Sequence, residues 1–229
     1  MQPYFLPYIG YWQLMAAVDR FVVYDNIQYT KKGWINRNRF LRDGSDEYFT
    51  VPIKKASDFL DVRDRELAAD FDRDRLLRML EGAYRQAPEF GAVFPVVERM
   101  VRAPMTNLFE YIFHSLVETA AFLEIRTPLV ISSTIAIDHS LTAERKVLAI
   151  CRAMGADRYV NPVMGGALYS REAFAAESVR LELLRPRPRE YAQFGAAFVP
   201  SLSILDVVMF NPRETVREML SEADVVPAV

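Results

Sequence analysis

The sequence predicts an α/β protein: a mostly parallel sheet with flanking helices, a Rossmann-like core, and a helical insertion. Three observations predict it. Short β-branched runs, such as Phe21-Val22-Val23 and Leu129-Val130-Ile131, alternate with stretches of helical period. The most polar loops follow the candidate strands, where ligands lie in such sheets. Hydrophobic residues make up 51% of the 229 and charged residues 25%, which suits a large buried core and argues against disorder. One domain over residues 1–229 is expected, with a helical subdomain at about residues 58–123.

Each element has its own signal. Residues 9–18 carry Tyr11, Trp12, Leu14, Met15 and Val18 at helical spacing. Residues 20–24 are short and β-branched, so they read as a buried strand, and 48–53 read as another that ends near Pro52. Between them, 26–44 is polar and aromatic and reads as a loop or irregular hairpin. Residues 74–86 and 90–102 are amphipathic helices split by Pro88. A long helix spans 105–123, with Leu108, Ile112, Ser115, Leu116, Thr119 and Phe122 on one stripe and Pro104 and Thr106 at its start. A strand at 129–132 enters a Ser-Ser-Thr turn. The helix at 142–154 ends at Gly155, a residue suited to the position after a helix. A short strand at 158–160, a helix at 170–176, a strand at 179–184 and helices at 202–210 and 213–220 complete the chain.

Composition excludes some functions. The net charge of −2 is wrong for a general DNA binder. The charge is uneven: residues 1–55 hold eight Lys and Arg against five Asp and Glu, while 56–102 hold eight against ten. The basic excess therefore suits a local anion site. No run of about 18 apolar residues predicts a membrane span. No basic segment followed by an apolar one predicts a secretory signal, and the lone Cys151 forms no internal disulfide, so a reducing cytoplasm is expected. His114 and His139 lack partners at metal-ligand spacing, so no metal or cofactor is expected.

Four segments could carry chemistry. The first is Gln2-Pro3-Tyr4-Phe5-Leu6-Pro7, stiffened by two prolines, with Gly10 allowing close backbone approach. It reads either as an anion site at a helix N-terminus or as an aromatic-packed start of the domain. The second runs from Asp25 to Arg39. Asp25 at a strand end is an acid/base or hydroxyl-binding candidate, and Arg37 suits a carboxylate or phosphate. Trp34 or Tyr29 could stack on a base or sugar, and Gln28, Asn36 and Asn38 add amides that a solvated hairpin does not require. Lys54 and Lys55 either extend that basic patch or guard a sheet edge.

Ser132-Ser133-Thr134 follows a strand and suits either phosphate binding or turn chemistry. In Asn161-Pro162-Val163-Met164-Gly165-Gly166-Ala167-Leu168-Tyr169, paired glycines either turn backbone amides toward a ligand or allow a tight turn. Gln193 precedes an apolar run that contains Asp206, and this acid must be paired or shifted in pKa if buried. The Arg185-Pro186-Arg187-Pro188-Arg189 run reads as a solvated connector.

Together, the Gln2–Tyr11 opening, Phe21-Val22-Val23-Tyr24-Asp25-Asn26-Ile27-Gln28-Tyr29, Gly33-Trp34-Ile35-Asn36-Arg37-Asn38 and Val51-Pro52-Ile53-Lys54-Lys55 resemble the WbqC-like family. Ile131-Ser132-Ser133-Thr134, Asn161 to Tyr169, Tyr191 to Phe194 and Pro200 to Asp206 resemble it in the same order. The resemblance implies modification of a nucleotide-linked sugar in the making of O-antigen or another surface polysaccharide, as by aminoacyl (glycyl) or other acyl transfer to a sugar amine. Members of that family carry further residues, several of them apolar, before this Gln-Pro. The resemblance thus implies a first strand that is shortened here or starts upstream of Met1.

Three functional readings follow. In the first, a transferase acts on a nucleotide-sugar, with Asp25, Gln2 and Tyr4 as catalytic candidates. Gln28, Trp34, Asn36, Arg37, Asn38, Lys54, Ser132, Ser133, Asn161, Gly165, Gly166, Tyr169 and Gln193 would then surround the substrate. The second is a nucleotidyltransferase-like enzyme, and the third a non-catalytic protein that binds a glycan intermediate. An aminoacyl-tRNA donor is compatible with the charge, and an oligomer with the composition.

Overall fold

A computed structural model describes residues 1–187, 189–195 and 197–228. The protein is α/β, and the strands among the described residues lie in three small sheets. Helix α1 (Ile9–Ala16) leads into β1 (Phe21–Val23), which pairs in parallel with β4 (Leu129–Ile131), Val23 lying opposite Ile131. Strands β2 (Arg37–Arg42) and β3 (Ser45–Thr50) form an antiparallel hairpin. Its turn places Asp43 at φ 50° and Gly44 at φ 78°, the left-handed pair that matches strand twist. In the third sheet, β5 (Arg158–Pro162) pairs in parallel with β6 (Arg180–Pro186), and β7 (Ala223–Pro227) adds antiparallel.

The single, mostly parallel sheet expected from the sequence is not what forms. Among the described residues, parallel pairing is confined to β1–β4 and β5–β6, and no ladder bonds join β1 to β5. The stretch read as a loop or irregular hairpin holds the first strand of a hairpin, β2, in which Asn38 and Phe40 point inward while Arg37 and Arg39 stay partly exposed. The alternation is real, and the arginines obscured it. The strand placed at 48–53 lies earlier, at Ser45–Thr50, and β7 was not anticipated. The first two residues of the Arg185–Arg189 run end β6. Arg187 and Arg189 form ion pairs with Asp224, Glu218 and Glu222, and Pro188 lies outside the described residues.

Between β3 and β4 come α2 (Arg73–Tyr84), α3 (Phe90–Val101) and α4 (Leu108–Phe122). Asp72 caps α2 by accepting from Arg75 N at 2.8 Å. Asn107, rather than Thr106, caps α4, accepting from Glu110 N at 3.1 Å. These helices share one core with the opening loop: the Phe5 ring stacks on Tyr111 at 5.4 Å and meets Phe49 edge-on at 5.9 Å. Helices α7 (Ile204–Phe210) and α8 (Arg213–Ser221) close the same core. A second cluster joins α5 (Ala143–Ala153), α6 (Arg171–Ala176) and β6 through Val147, Cys151, Phe174 and Leu181. Among the described residues, no helix is long and apolar enough to cross a membrane.

Asp206 meets its expectation. It is fully buried in α7 and accepts from Tyr84 Oη (3.0 Å), Tyr191 Oη (2.7 Å) and Gln193 Nε2 (2.6 Å). Burial raises its pKa, and those three hydrogen bonds oppose the rise.

Candidate functional site

Because β1 and β4 run parallel and in register, their C-terminal ends reach the same rim. Asp25 leaves β1 there, and Ser132 begins a single 3-10 turn (Ser132–Thr134) after β4. Ser132 Oγ lies 2.8 Å from Asp25 Oδ1 and 2.6 Å from Asn26 Oδ1, so its one proton is shared between two acceptors. Ser133 N donates to the same Asp25 Oδ1 at 2.9 Å. Burial alone would raise the Asp25 pKa. Hydrogen bonds from Ser133 and Ser132 outweigh it and hold the carboxyl below the usual range.

Cations gather on the remaining side. Arg63 Nη1 stands 4.0 Å from Asp25 Oδ2, and Arg63 N donates to Asp25 O at 3.1 Å. Lys146, in the first turn of α5, donates to Asn26 O at 3.0 Å and sits 5.5 Å over the Tyr24 ring. Burial lowers the Lys146 pKa, and Asp61 and Asp25 draw it back. His139 is held at both nitrogens. Nε2 faces Ile135 O at 3.0 Å and so carries the proton, which leaves Nδ1 to accept from Asn26 Nδ2 at 2.9 Å.

The opening loop lies alongside. Tyr24 N donates to Met1 O at 2.9 Å, Tyr11 Oη to Gln2 O at 3.1 Å, and Tyr4 Oη to Gln2 Oε1 at 2.8 Å. Beside the rim, between β1, α5 and β5, runs a cleft of about 330 Å³ lined in part by Tyr24, Cys151 and Asn161. Asn161 ends β5, where the short 3-10 segment Val163–Leu168 begins. A side chain at Gly165 would meet the Asn161 amide nitrogen, and one at Gly166 the Leu183 methyls, so either substitution would push aside the far end of a neighbouring side chain. Tyr169 packs edge-on against Tyr159 at 5.6 Å and lies near enough to Tyr24 to help burial raise that phenol's pKa.

Other predicted residues are engaged elsewhere. Asn38 Nδ2 and Ser203 Oγ both donate to Leu6 O, at 2.9 and 2.7 Å, and fix Leu6 at φ 48°. Asn36 bonds Tyr29 Oη and Val51 O. Arg37 donates to Gly33 O and Lys32 O beneath an exposed stack of Trp34 on Tyr48, 6.0 Å apart. Gln28 donates to Asp58 O, Lys54 pairs with Glu66, and Gln193 belongs to the Asp206 cluster.

Three members of the rim group had no sequence signal. They come from separate segments: Arg63 reaches Asp25, while His139 and Lys146 reach Asn26. Among the described residues, no group of three or more His, Cys, Asp or Glu side chains could hold a metal ion.

The family model described as the WbqC-like protein family matches residues 2–218. The chain belongs to the WbqC-like family. This WbqC-like protein is also 28% identical, over 214 residues, to the uncharacterized protein Rv1507c of Mycobacterium tuberculosis, covering 92% of this chain and 91% of that protein. No solved structure matches it.

Proposed function

We propose that this WbqC-like protein binds a nucleotide-linked aminosugar at the β1–β4 rim and transfers an acyl group, such as an aminoacyl (glycyl) group, to the sugar amine. The observation that carries the reading is the group of Asp25, Ser132, Arg63 and Lys146 at two parallel strand ends. A carboxylate held below its usual pKa is a weak base and a good acceptor. Asp25 therefore orients a sugar hydroxyl or amine through Oδ2, while Arg63 and Lys146 face the phosphates. In the transfer, the amine nitrogen bonds to the acyl carbon. The bond from that carbon to the donor's alcohol or thiol breaks, and the leaving group departs with the proton the amine gives up. An aminoacyl ester such as aminoacyl-tRNA is a compatible donor, and the product belongs in O-antigen or related polysaccharide synthesis.

A second reading, binding of a glycan intermediate without catalysis, is favoured by one feature. Ser132 is fully buried, and both His139 nitrogens are occupied, so neither is free as a nucleophile or base. Mass spectrometry of nucleotide-aminosugars incubated with acyl donors separates the two. A product heavier by one acyl group supports transfer, and binding with no product under any donor supports the second reading.

A further inference from the structure

Arg65 is a buried charge without a carboxylate. It follows the 3-10 turn Val62–Asp64 and is pinned on both sides: Arg65 N donates to Val62 O at 3.2 Å, and Leu108 N donates to Arg65 O at 2.9 Å. The residue is 2% exposed. Its guanidinium sits 4.5 Å over the Tyr29 ring, and Nη2 donates to Ser57 O at 2.7 Å. Nε is buried with no acceptor, and among the described residues no Asp or Glu forms an ion pair with the side chain. A cation taken out of water without a counter-charge is costly, and one carbonyl and one ring face offset only part of that cost.

The same side chain lines an open pocket of about 560 Å³, together with Lys31, Lys54, Lys55 and Asp58. Lys31 pairs with Asp58 at 2.8 Å and Lys54 with Glu66 at 2.7 Å. All four of those side chains are more than half exposed, so the pairs yield readily to a competing anion. Lys55 has no ion-pair partner among the described residues. Four cations therefore face two carboxylates, an excess of two positive charges. That field reaches the phenol beneath it: burial raises the Tyr29 pKa, and Arg65, Arg37 and Lys31 draw it back. Guarding a sheet edge would explain lysines on the surface, but not a guanidinium buried behind them.

We propose that this pocket binds a phosphate dianion, either the free ion or the phosphoryl group of a monoester. Nη2 of Arg65 is committed to Ser57 and Nε is enclosed, so Nη1 donates to the anion. The three lysines supply mobile point charges for the other oxygens of a tetrahedral group. Two uncompensated charges match a dianion, whereas a single carboxylate would neutralise one. The site is distinct from the rim. Arg63 turns to Asp25, and Arg65, two residues on, turns to Tyr29. The inference stands whether or not the rim binds a nucleotide-sugar.

Calorimetric titration of inorganic phosphate and of ribose 5-phosphate, at constant ionic strength, tests the site in four proteins: the parent, Lys55→Glu, Arg65→Met and Arg63→Ala. The parent is expected to bind at least one probe at a single site. Lys55→Glu alters an exposed residue, so its Tm without phosphate should match that of the parent while binding weakens at least about tenfold. Arg65→Met should weaken binding at least as much, and phosphate should raise the Tm of the parent but not of this variant. Arg63→Ala should bind like the parent. If Arg65→Met does not fold, Lys55→Glu decides. Tighter binding of ribose 5-phosphate assigns the site to a monoester, and equal binding of the two probes assigns it to the free ion. Binding of neither probe, binding that Lys55→Glu leaves unchanged, or binding lost only in Arg63→Ala would overturn the inference, the last because the phosphate would then lie at the rim.

Discussion

Ser132 Oγ donates to Asp25 Oδ1 across 2.8 Å although 107 residues separate them, and the bond ties the ends of two parallel strands into one buried unit. Replacing Ser132 with Ala removes that donor and leaves Asn26 Oδ1 short of one as well. Ser132→Ala should cost about 1–3 kcal/mol in urea unfolding. Thr at the same position should recover part of the loss. A cost near zero would mean that the hydroxyl is not holding the carboxylate.

The Asp25 shift sets a pH dependence. Its folded pKa lies below its ordinary value of 3.8, so it contributes stability above that value and loses it as pH falls through the folded pKa. Asp206 has the opposite sign. Its folded pKa is raised, so its contribution is greatest below 3.8 and declines as pH rises through the folded value. Urea midpoints from pH 6 down to pH 2.5 should therefore fall less steeply in Asp25→Asn than in the parent, and more steeply in Asp206→Asn. Parallel curves would remove both residues from the linkage.

Asp206→Ala leaves the buried donors of Tyr84, Tyr191 and Gln193 without their shared acceptor. Each donor left unsatisfied costs about 1–3 kcal/mol, so the three together should give a large fall in Tm. Tyr191→Phe removes one of three donors and should cost about 1–2 kcal/mol. The ranking is the check: equal losses would mean that the cluster does not depend on the carboxylate.

Asn38 and Ser203 converge on one carbonyl, that of Leu6, which is held at positive φ. Asn38→Ala and Ser203→Ala should each destabilise by about 1–2 kcal/mol. Because they share an acceptor, the double variant should depart from the sum. Strict additivity would show that the opening loop is fixed by other contacts.

These residues also show what the sequence made legible. The alternation of helix and strand was readable, as was the need for Asp206 to find partners, because a buried acid in an apolar run has few alternatives. The strand-end rule pointed to the rim where Asp25 and Ser132 meet. Strand β2 was legible only as one arm of a loop or irregular hairpin, because Arg37, Arg39 and Arg42 give a half-buried strand a polar composition. Asn38 was read as a ligand contact, and the structure has its amide holding Leu6, since an amide beside a tight turn serves backbone and ligand by the same chemistry. Arg63, His139 and Lys146 were unreadable for a different reason. Each is ordinary in its own segment, and only packing brings Arg63 to Asp25 and His139 and Lys146 to Asn26.

The central claim is tested most directly by titrating dTDP-, UDP-, GDP- and CMP-linked aminosugars into the parent protein and into Arg63→Ala. The account predicts that one nucleotide class binds the parent, adding about 2.7 kcal/mol of stability at 100 times its dissociation constant. It also predicts that Arg63→Ala weakens that binding at least tenfold while its Tm without ligand stays within a degree or two of the parent. Binding of no class, or of one class equally by both proteins, would contradict it.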